Sequence, residues 1–395
     1  ASCQQEKPFP DDAVDKVYEY LPEWQAGYLD IHQISTGRGN AAYLIFPDGT
    51  TMLLDAGDLG VHTGTQEIMK AVPNDSKRPA EWIAQYIKHF SLPLKNNGAI
   101  DYALLTHFDT DHIGQNGKLA IEKVGLDYKL TGITHVGNLL DISTLIHRAK
   151  VTGAHISNYK LYVAARDREG KKNEGFVTGS NTQIKLLKAP GSYPTFEVRN
   201  IAGNGKIWTG SGTTSKELVP STASSSEQLN ENRCSCGIRI TYGNFDYFSG
   251  GDILGVEKAP EWFDIETPVA TLLGETDVVV ANHHAYSDAM CDTYISQVKA
   301  QAYVIPVWDY YHPQPAPLSR MLSQSLYAGE RSVFAAGMVD SNRSRLGEDG
   351  LKIKPAGHVV TRVYPGGEKF QIFVLNDRNE AYEILYKTGE IKSNN

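Results

Sequence analysis

Cysteine is scarce in this chain of 395 residues, and long apolar runs are missing. The four cysteines are too few and too unevenly spaced for a disulfide framework, and no C-x-x-C pair indicates a structural zinc site. No run approaches the roughly 18 apolar residues that a membrane-spanning helix needs. The cysteines are Cys3, Cys234, Cys236 and Cys291.

Basic side chains are outnumbered by acidic ones, 38 against 46, which gives a formal net charge of −8. A surface that binds the phosphate backbone of a long nucleic acid needs clustered lysine and arginine, so this balance disfavours such a partner. The hydrophobic content of 41% is typical of a folded globular protein. The length allows one large domain or two ordinary ones.

The first half of the chain reads as short strands followed by a helix. The runs Y-L-D-I-H-Q-I, A-A-Y-L-I-F and T-T-M-L-L-D-A-G-D are separated by the turn signals R-G-N and P-D-G-T, which predicts an antiparallel meander. A helix is predicted at 80–90 and a buried strand at 101–106. After Gly114 the pattern predicts another helix, with Leu119 and Val124 facing inward.

The rest of the chain adds more strands than helices. Strands near Ile133 and Ile184 are predicted in a stretch that is otherwise hard to interpret, and the Ser-, Thr- and Gly-rich residues 209–230 predict a loop. No long repeat is present, so the pattern favours a mixed, layered α/β fold. The later predictions are strands in the runs G-I-R-I-T-Y, F-D-Y-F-S-G-G-D and D-V-V-V-A-N-H-H, then strands at 302–307, 332–336, 358–363 and 370–375, and a helix near 318–327.

The segment T-H-F-D-T-D-H-I-G places four side chains that can bind metal within six residues. Imidazole nitrogens and carboxylate oxygens suit a divalent ion such as zinc, manganese or iron, and a loop at a strand end can curl several of them around one point. The alternative, in which Asp111 caps a helix, explains one carboxylate and leaves the others without a role. The four are His107, Asp109, Asp111 and His112.

This segment resembles the H-x-H-x-D-H signature of the metallo-β-lactamase superfamily, in an H-x-D-x-D-H variant similar to the hydrolase domain of DNA-uptake competence proteins. The resemblance implies a four-layer αββα sandwich of the metallo-β-lactamase type, an α/β fold. We expect it to occupy residues 27–395, after an N-terminal tail at 1–26, with room for an inserted segment at about 127–230.

Four further segments resemble family elements and occur in the family's order. L-L-D-A-G-D contains Asp55, which the resemblance makes an orienting residue behind the metal loop. F-S-G-G-D contains Asp252, the candidate metal-bridging carboxylate, although Gly-Gly-Asp is also an ordinary turn. A-N-H-H-A-Y-S-D-A contains His283 and His284, and Y-H-P-Q-P contains His312; capped or merely exposed histidines are the alternatives.

The sequence departs from the family pattern in two places. Asp109 stands where the second histidine is usual, and the middle histidine that completes the first metal's ligands is not found. The segment N-E-N-R-C-S occupies the corresponding place, so that Asn232 or Cys234 lies nearby. The histidines in that interval lack the expected position at a strand end: His135, His147 and His155.

By resemblance, one or two divalent ions are implied, with zinc preferred and manganese or iron as alternatives. Asp111 also orients the nucleophile, while His283 and His312 donate hydrogen bonds to the leaving group or a phosphoryl oxygen, which makes these three the candidate catalytic residues. His284 is the preferred ligand of the histidine pair, although His283 remains an alternative. The tighter ion would be held by Asp111, His112, Asp252 and His284, and a weaker second ion by His107 and Asp109.

These features predict a metal-dependent hydrolase that acts on a phosphodiester or a related ester, either a small molecule or a polymer. Two alternatives stay open: a lactonase or β-lactamase, and a catalytically degenerate module that binds a ligand at the cell surface. Trp308, Tyr310 and Tyr311 beside His312 either line a substrate cleft or are ordinary packing.

The N-terminal sequence A-S-C-Q-Q-E resembles the end of a bacterial lipoprotein signal, in which small residues precede a cysteine that becomes lipidated. Cys3 would then be a lipid anchor followed by a tether of residues 4 to about 20. This interpretation implies an extracytoplasmic location, in the periplasm or at the surface, with membrane contact only through the anchor. An ordinary exposed cysteine is the alternative.

Overall fold

The computed structural model describes residues 19–394 except 61–68, 116, 118, 152 and 256–259. The candidate lipid anchor Cys3 and most of the predicted tail therefore lie outside the described residues. From Glu19 onward the chain contacts the folded body, since the backbone oxygen of Glu19 accepts a hydrogen bond from Ile384 and Tyr20 bridges Glu383.

The first sheet contains ten strands among the described residues, in the spatial order β17-β16-β15-β1-β2-β3-β4-β5-β6, with β18 also paired to β16. The predicted meander is present as the antiparallel strands β1 to β3, and β3 to β6 are parallel. Its strands are β1 (Leu29–Gln33), β2 (Ala42–Ile45), β3 (Thr51–Leu54), β4 (Ile100–Leu105), β5 (Ile142–His147), β6 (Lys172–Gly175), β15 (His358–Val363), β16 (Lys369–Leu375), β17 (Ile384–Lys387) and β18 (Ile391–Lys392).

The second sheet contains eight described strands in the order β14-β13-β12-β11-β10-β7-β8-β9. Strands β11 to β14 run parallel, whereas β10 pairs antiparallel with both β11 and β7. Its strands are β7 (Phe196–Gly203), β8 (Lys206–Trp208), β9 (Ser215–Glu217), β10 (Gly237–Tyr242), β11 (Phe245–Ser249), β12 (Val278–Val280), β13 (Ala302–Pro306) and β14 (Ser332–Ala336).

Helices cover the outer faces of the two sheets. The predicted helix at 80–90 is α1, which begins with Pro79 at its first turn, where a missing N–H costs nothing, and buries Trp82, Ile83 and Ile87. The α-helices are α1 (Pro79–Phe90), α2 (Thr110–Ile113), α3 (Ile133–Leu139), α4 (Ser157–Arg168), α5 (Glu266–Leu273), α6 (Asp292–Val298), α7 (Pro315–Leu322), α8 (Asp340–Arg345) and α9 (Gly347–Lys352). No helix among the described residues is long and apolar enough to cross a membrane.

Alternating side chains build three apolar layers. In β2, Leu44 packs into a core shared by both sheets, while its neighbours Tyr43 and Ile45 pack under α1 on the outer face. In the second sheet, Val278 faces the shared core and Val279 faces α5 and α6. Because successive strand residues point to opposite faces, this pattern gives the order helix, sheet, sheet, helix, which is the predicted αββα sandwich.

Part of the early prediction is wrong in the middle of the chain. The residues described between Gly114 and Thr131 do not form the predicted helix, and Val124, expected to face inward, is fully exposed. Ile133 begins helix α3 instead of lying in a strand, because Gly132 ends the preceding turn, and Ile184 is buried outside any strand. The stretch at 127–230 contributes β5 and β6 to the first sheet and β7 to β9 to the second.

Candidate metal centre

Three strand ends bring the candidate ligands to one edge of the sandwich. Strand β4 ends at Leu105, and the single turn α2 that follows carries Asp111 and His112. In the second sheet, Asp252 comes three residues after Ser249 through a Gly-Gly turn, and β12 leads into the turn that carries His284. Because β11 and β12 are parallel neighbours, their carboxyl ends meet at the same edge, opposite the end of β4.

Four side chains form a compact group whose ligand atoms all lie within 4.8 Å of one another. His112 Nε2 is 3.2 Å from Asp252 Oδ2 and 3.3 Å from Asp111 Oδ2. His284 Nε2 is 3.1 Å from Asp111 Oδ2 and 3.5 Å from Asp252 Oδ1. Nitrogen and oxygen ligands of a tetrahedral zinc ion lie roughly 3.4 Å apart, so this spacing fits a divalent ion.

The two carboxylates of this group are buried and remain ionised. Burial alone would raise the pKa of Asp111, but the charge of His112 and hydrogen bonds from His112 and His284 hold it well below its usual range. The pKa of Asp252 is also held low against burial by the charges of His112, His284 and His107. Both carboxylates are therefore acceptor-only groups at neutral pH and suit a cation.

Each imidazole of the group is oriented through its other nitrogen. His112 Nδ1 donates to Asp55 Oδ2 at 2.6 Å, and His284 Nδ1 donates to the backbone oxygen of Pro306 at 3.1 Å. These bonds leave Nε2 of each ring directed at the carboxylates. Asp55 also accepts hydrogen bonds from the Thr106 backbone, at 2.8 Å, and from its hydroxyl, so it fixes the start of the metal loop as well.

His107 and Asp109 lie beside the compact group and not within it. His107 is fully buried, and its Nε2 is 3.6 Å from Asp252 Oδ2 and 3.5 Å from Asp109 Oδ2, with no hydrogen-bond partner among the described residues. The Asp109 side chain is 41% exposed. His107 Nδ1 contacts the hydroxyl of Ser235 at 3.1 Å, which orients the ring toward Asp252.

The paired histidines lie on a strained turn. His283, His284 and Ala285 have φ angles of 47°, 55° and 57°, a left-handed conformation that costs non-glycine residues energy. His283 is half-buried, its Nδ1 is 2.7 Å from Asp288 Oδ1, and its Nε2 is 4.0 Å from Asp252 Oδ2. Burial would lower the pKa of His283, but the bond to Asp288 and the charge of Asp252 raise it.

Glu266, which sequence reasoning missed, holds this strained turn in place. It is fully buried, and its carboxylate accepts hydrogen bonds from Asn282 Nδ2 at 3.0 Å and from the backbone of Met290 and Cys291 at 2.6 and 2.9 Å. Glu266 also donates its own backbone N–H to Leu254, two residues after Asp252. A glutamate at a helix start gives no sequence signal of this role, because acidic residues are common there.

His312 packs directly on the ligand group. Its ring stacks on that of His284, with centroids 4.5 Å apart and an interplanar angle of 16°. Burial and the charge of His284 hold the pKa of His312 well below its usual range, and its Nδ1 accepts a hydrogen bond from the Trp308 backbone at 3.4 Å. His312 is therefore a neutral imidazole whose Nε2–H remains available to donate.

Among the described residues, none of the three histidines from that interval lies at the place of the missing middle one. His147 does end strand β5, contrary to expectation, but its ring contacts the hydroxyl of Tyr159 at 2.9 Å in the core. Asn232 reaches the site from the N-E-N-R-C-S segment, with its Nδ2 3.4 Å from His283 Nε2. His135 lies in α3 and His155 lies in a 3-10 turn.

No protein-family model and no curated protein matches this sequence. Among solved structures, one match is a protein from Parabacteroides distasonis described as a "Putative metal-dependent hydrolase". The two share 10% sequence identity with a TM-score of 0.35, over 82% of this chain and 91% of that one. The chain is an αββα sandwich whose His and Asp cluster fits a divalent metal ion.

Proposed function

We propose that this protein is a metal-dependent hydrolase of the metallo-β-lactamase type that acts on a phosphodiester or a related ester. The observation that carries the proposal is the convergence of two imidazoles and two ionised carboxylates, from loops of both sheets, on one buried point. The preference for a phosphodiester comes from the motif pair H-x-D-x-D-H and H-H, which resembles the phosphodiesterase-like branch of that superfamily.

The side chains present fit a bound divalent ion for two reasons. The ligand atoms of the four-residue group lie close together. In addition, the buried Nε2 of His107, which has no hydrogen-bond partner among the described residues, lies 3.6 Å from the Asp252 carboxylate. When bound, such an ion supplies Lewis acidity: it brings the pKa of water down to about 7 and offsets negative charge that develops on the ester. Zinc is the preferred ion for this mixture of nitrogen and oxygen ligands, with manganese and iron as alternatives.

Three side chains of the protein would orient the attacking water and donate hydrogen bonds to the substrate. Asp111, at the mouth of the group, accepts a hydrogen bond from the attacking water and orients it. His283, whose pKa is raised by its hydrogen bond to Asp288, would donate a proton to the leaving group. Neutral His312 donates to an oxygen of the substrate.

A second, weaker ion would bind between His107, Asp109 and Asp252. Asp252 would contribute to both positions, because its Oδ2 is 3.2 Å from His112 Nε2 and 3.6 Å from His107 Nε2. The partial exposure of Asp109, whose side chain is 41% accessible, explains why this position would be the weaker one. Elemental analysis after dialysis against limiting zinc should give one ion per chain, and excess zinc should give two.

Asp111→Ala and His112→Ala test the proposal. Hydrolysis of bis(p-nitrophenyl) phosphate with zinc or manganese should fall by at least about 100-fold in both, and the first zinc ion should be lost. Asp127→Ala, an exposed carboxylate paired with Arg168, is the control and should behave as wild type. A lactone and a β-lactam are assayed beside the phosphodiester; faster turnover of either would replace the substrate assignment.

Metal binding without turnover of any of the three substrates would favour a recognition module instead.

A separate proposal, from the A-S-C-Q-Q-E segment alone, is that Cys3 anchors the protein to a membrane outside the cytoplasm. Cys3→Ser should then release the protein from the membrane fraction of cells that express the full chain.

A further inference from the structure

A row of three tyrosine rings extends outward from the metal centre. The ring of Tyr286 is 5.3 Å from that of His283, Tyr311 is 5.9 Å from Tyr286, and Tyr310 is 5.2 Å from Tyr311. All three tyrosines are half-buried, so each packs one side against the protein and leaves part of its ring accessible. Aromatic faces of this kind bind other rings by stacking or edge contacts.

Arg345, the last residue of α8, lies at the far end of this row. Its guanidinium carbon is 4.6 Å from the ring centre of Tyr310 and 5.5 Å from that of Tyr311. Its Nε and Nη2 donate to Asn342 Oδ1 at 3.0 and 2.7 Å. Asn342 is fully buried and donates to the backbone oxygen of His312 at 3.0 Å, so the arginine is tied to the loop that packs on the metal centre.

The positive charge of Arg345 has no carboxylate partner within 4.0 Å among the residues that the structure describes. Its remaining contact is a hydrogen bond from Nη1 to Gln314 Oε1 at 3.3 Å. A guanidinium carries five N–H donors in a planar fork, so donors are left for a ligand. Asp288, a carboxylate near the row, is engaged by His283.

We propose that Tyr286, Tyr310, Tyr311 and Arg345 form a subsite, here called the rim subsite, that binds an anionic aryl group of the substrate. The ring lies on the tyrosines and its phosphate or carboxylate binds the arginine fork, because two N–H groups of a guanidinium can pair with two oxygens of either anion. The rim subsite rests on the proposed function only in that the bound molecule would be the ester whose scissile bond reaches the metal centre.

Equilibrium binding of four probes to the zinc-loaded full chain tests this proposal. The probes are 1-naphthyl phosphate, 1-naphthoate, 1-naphthol and inorganic phosphate, followed by naphthyl fluorescence or by calorimetry. Arg345→Gln should weaken both naphthyl anions about 10-fold and leave naphthol within about 2-fold, because only the anion uses the fork. Arg345→Lys should be intermediate, and Tyr311→Ala should weaken all three naphthyl probes.

Arg168→Gln, an exposed arginine paired with Asp127, is the matched control and should bind all probes as wild type. Asp111→Ala separates the two proposals: naphthoate binding should persist there even though hydrolysis is lost.

Equal affinity of Arg345→Gln and wild type for both anions would overturn the rim subsite, as would loss of naphthoate binding in Asp111→Ala alone. Failure of ester hydrolysis with intact naphthoate binding would overturn the proposed function and leave the rim subsite standing. The preferred anion is whichever of phosphate and carboxylate loses more affinity in Arg345→Gln.

Discussion

Asp55→Asn should weaken metal binding without changing any ligand. All four groups around the Asp55 carboxylate are donors: Asn40 Nδ2 at 3.0 Å, the backbone and hydroxyl of Thr106, each at 2.8 Å, and His112 Nδ1 at 2.6 Å. An asparagine must turn its own NH2 toward one of them. Asp55 has φ 60°, which asparagine tolerates, so the substitution removes charge and an acceptor but adds no backbone strain.

The size of the effect follows from these contacts. Loss of a group that orients a metal-bound histidine costs about 10- to 100-fold in metal affinity, or about 1.4–2.7 kcal/mol. Loss of a hydrogen bond to a charged group costs about 1.5–3 kcal/mol of folding stability as well. The zinc dissociation constant is measured by competition with a chromophoric chelator, and the free energy of unfolding by urea titration.

Asp101→Asn is the matched control. Asp101 lies at the opposite end of β4 from the metal loop and accepts hydrogen bonds from the Thr51 backbone and hydroxyl at 2.8 and 3.3 Å. Its replacement should lower stability while leaving zinc affinity within about 2-fold of wild type. If Asp55→Asn also stays within 2-fold, Asp55 does not orient His112, and the reasoning is wrong.

Three further changes probe the support of the site. Gly57→Ala places a methyl group 1.9 Å from the backbone oxygen of Asp111, so urea titration should show a loss of about 1–3 kcal/mol and zinc binding should weaken; unchanged zinc affinity would contradict the contact. Glu266→Gln should lower the free energy of unfolding by about 1–3 kcal/mol and weaken zinc binding, because the side-chain NH2 of the glutamine would face hydrogen-bond donors. Normal zinc affinity in a folded variant would exclude a positioning role for Glu266. Burial lowers the pKa of His147 from 6.5 to about 4, so the folded state binds fewer protons than the unfolded chain, and up to about 3 kcal/mol of stability present above pH 6.5 should disappear on acidification toward pH 4. His147→Gln should flatten that part of the pH profile in urea titrations, and an unchanged slope would show that other groups cause it.

The sequence predicted the parts of this protein that are set by local pattern. The strands around His107, Asp252 and His284 are apolar runs that end in polar residues, so their positions could be predicted, whereas the four-layer order was implied by the resemblance to the metallo-β-lactamase superfamily. The helix expected near Val124 is absent because Gly125 and neighbouring polar residues favour turns. The conformation of this segment depends on tertiary contacts, which the spacing of apolar residues cannot predict. Glu266 could not be found, because Met290 and Cys291 reach its carboxylate through backbone N–H groups, which almost any residue type would supply.

The charge balance of the site bears on its metal content and on its choice of substrate. One divalent ion neutralises the buried carboxylates Asp111 and Asp252, and neutrality is what makes burial of such charges tolerable, so this position should be the tighter one. A second ion would add two positive charges and would meet one further carboxylate, Asp109, which is partly exposed to water. The carboxylate of Asp55, which contacts His112 at 2.6 Å, would balance the remaining positive charge, so the doubly loaded centre would be neutral. A preference for a charged phosphodiester over a neutral lactone would then have to come from side chains beyond the ions.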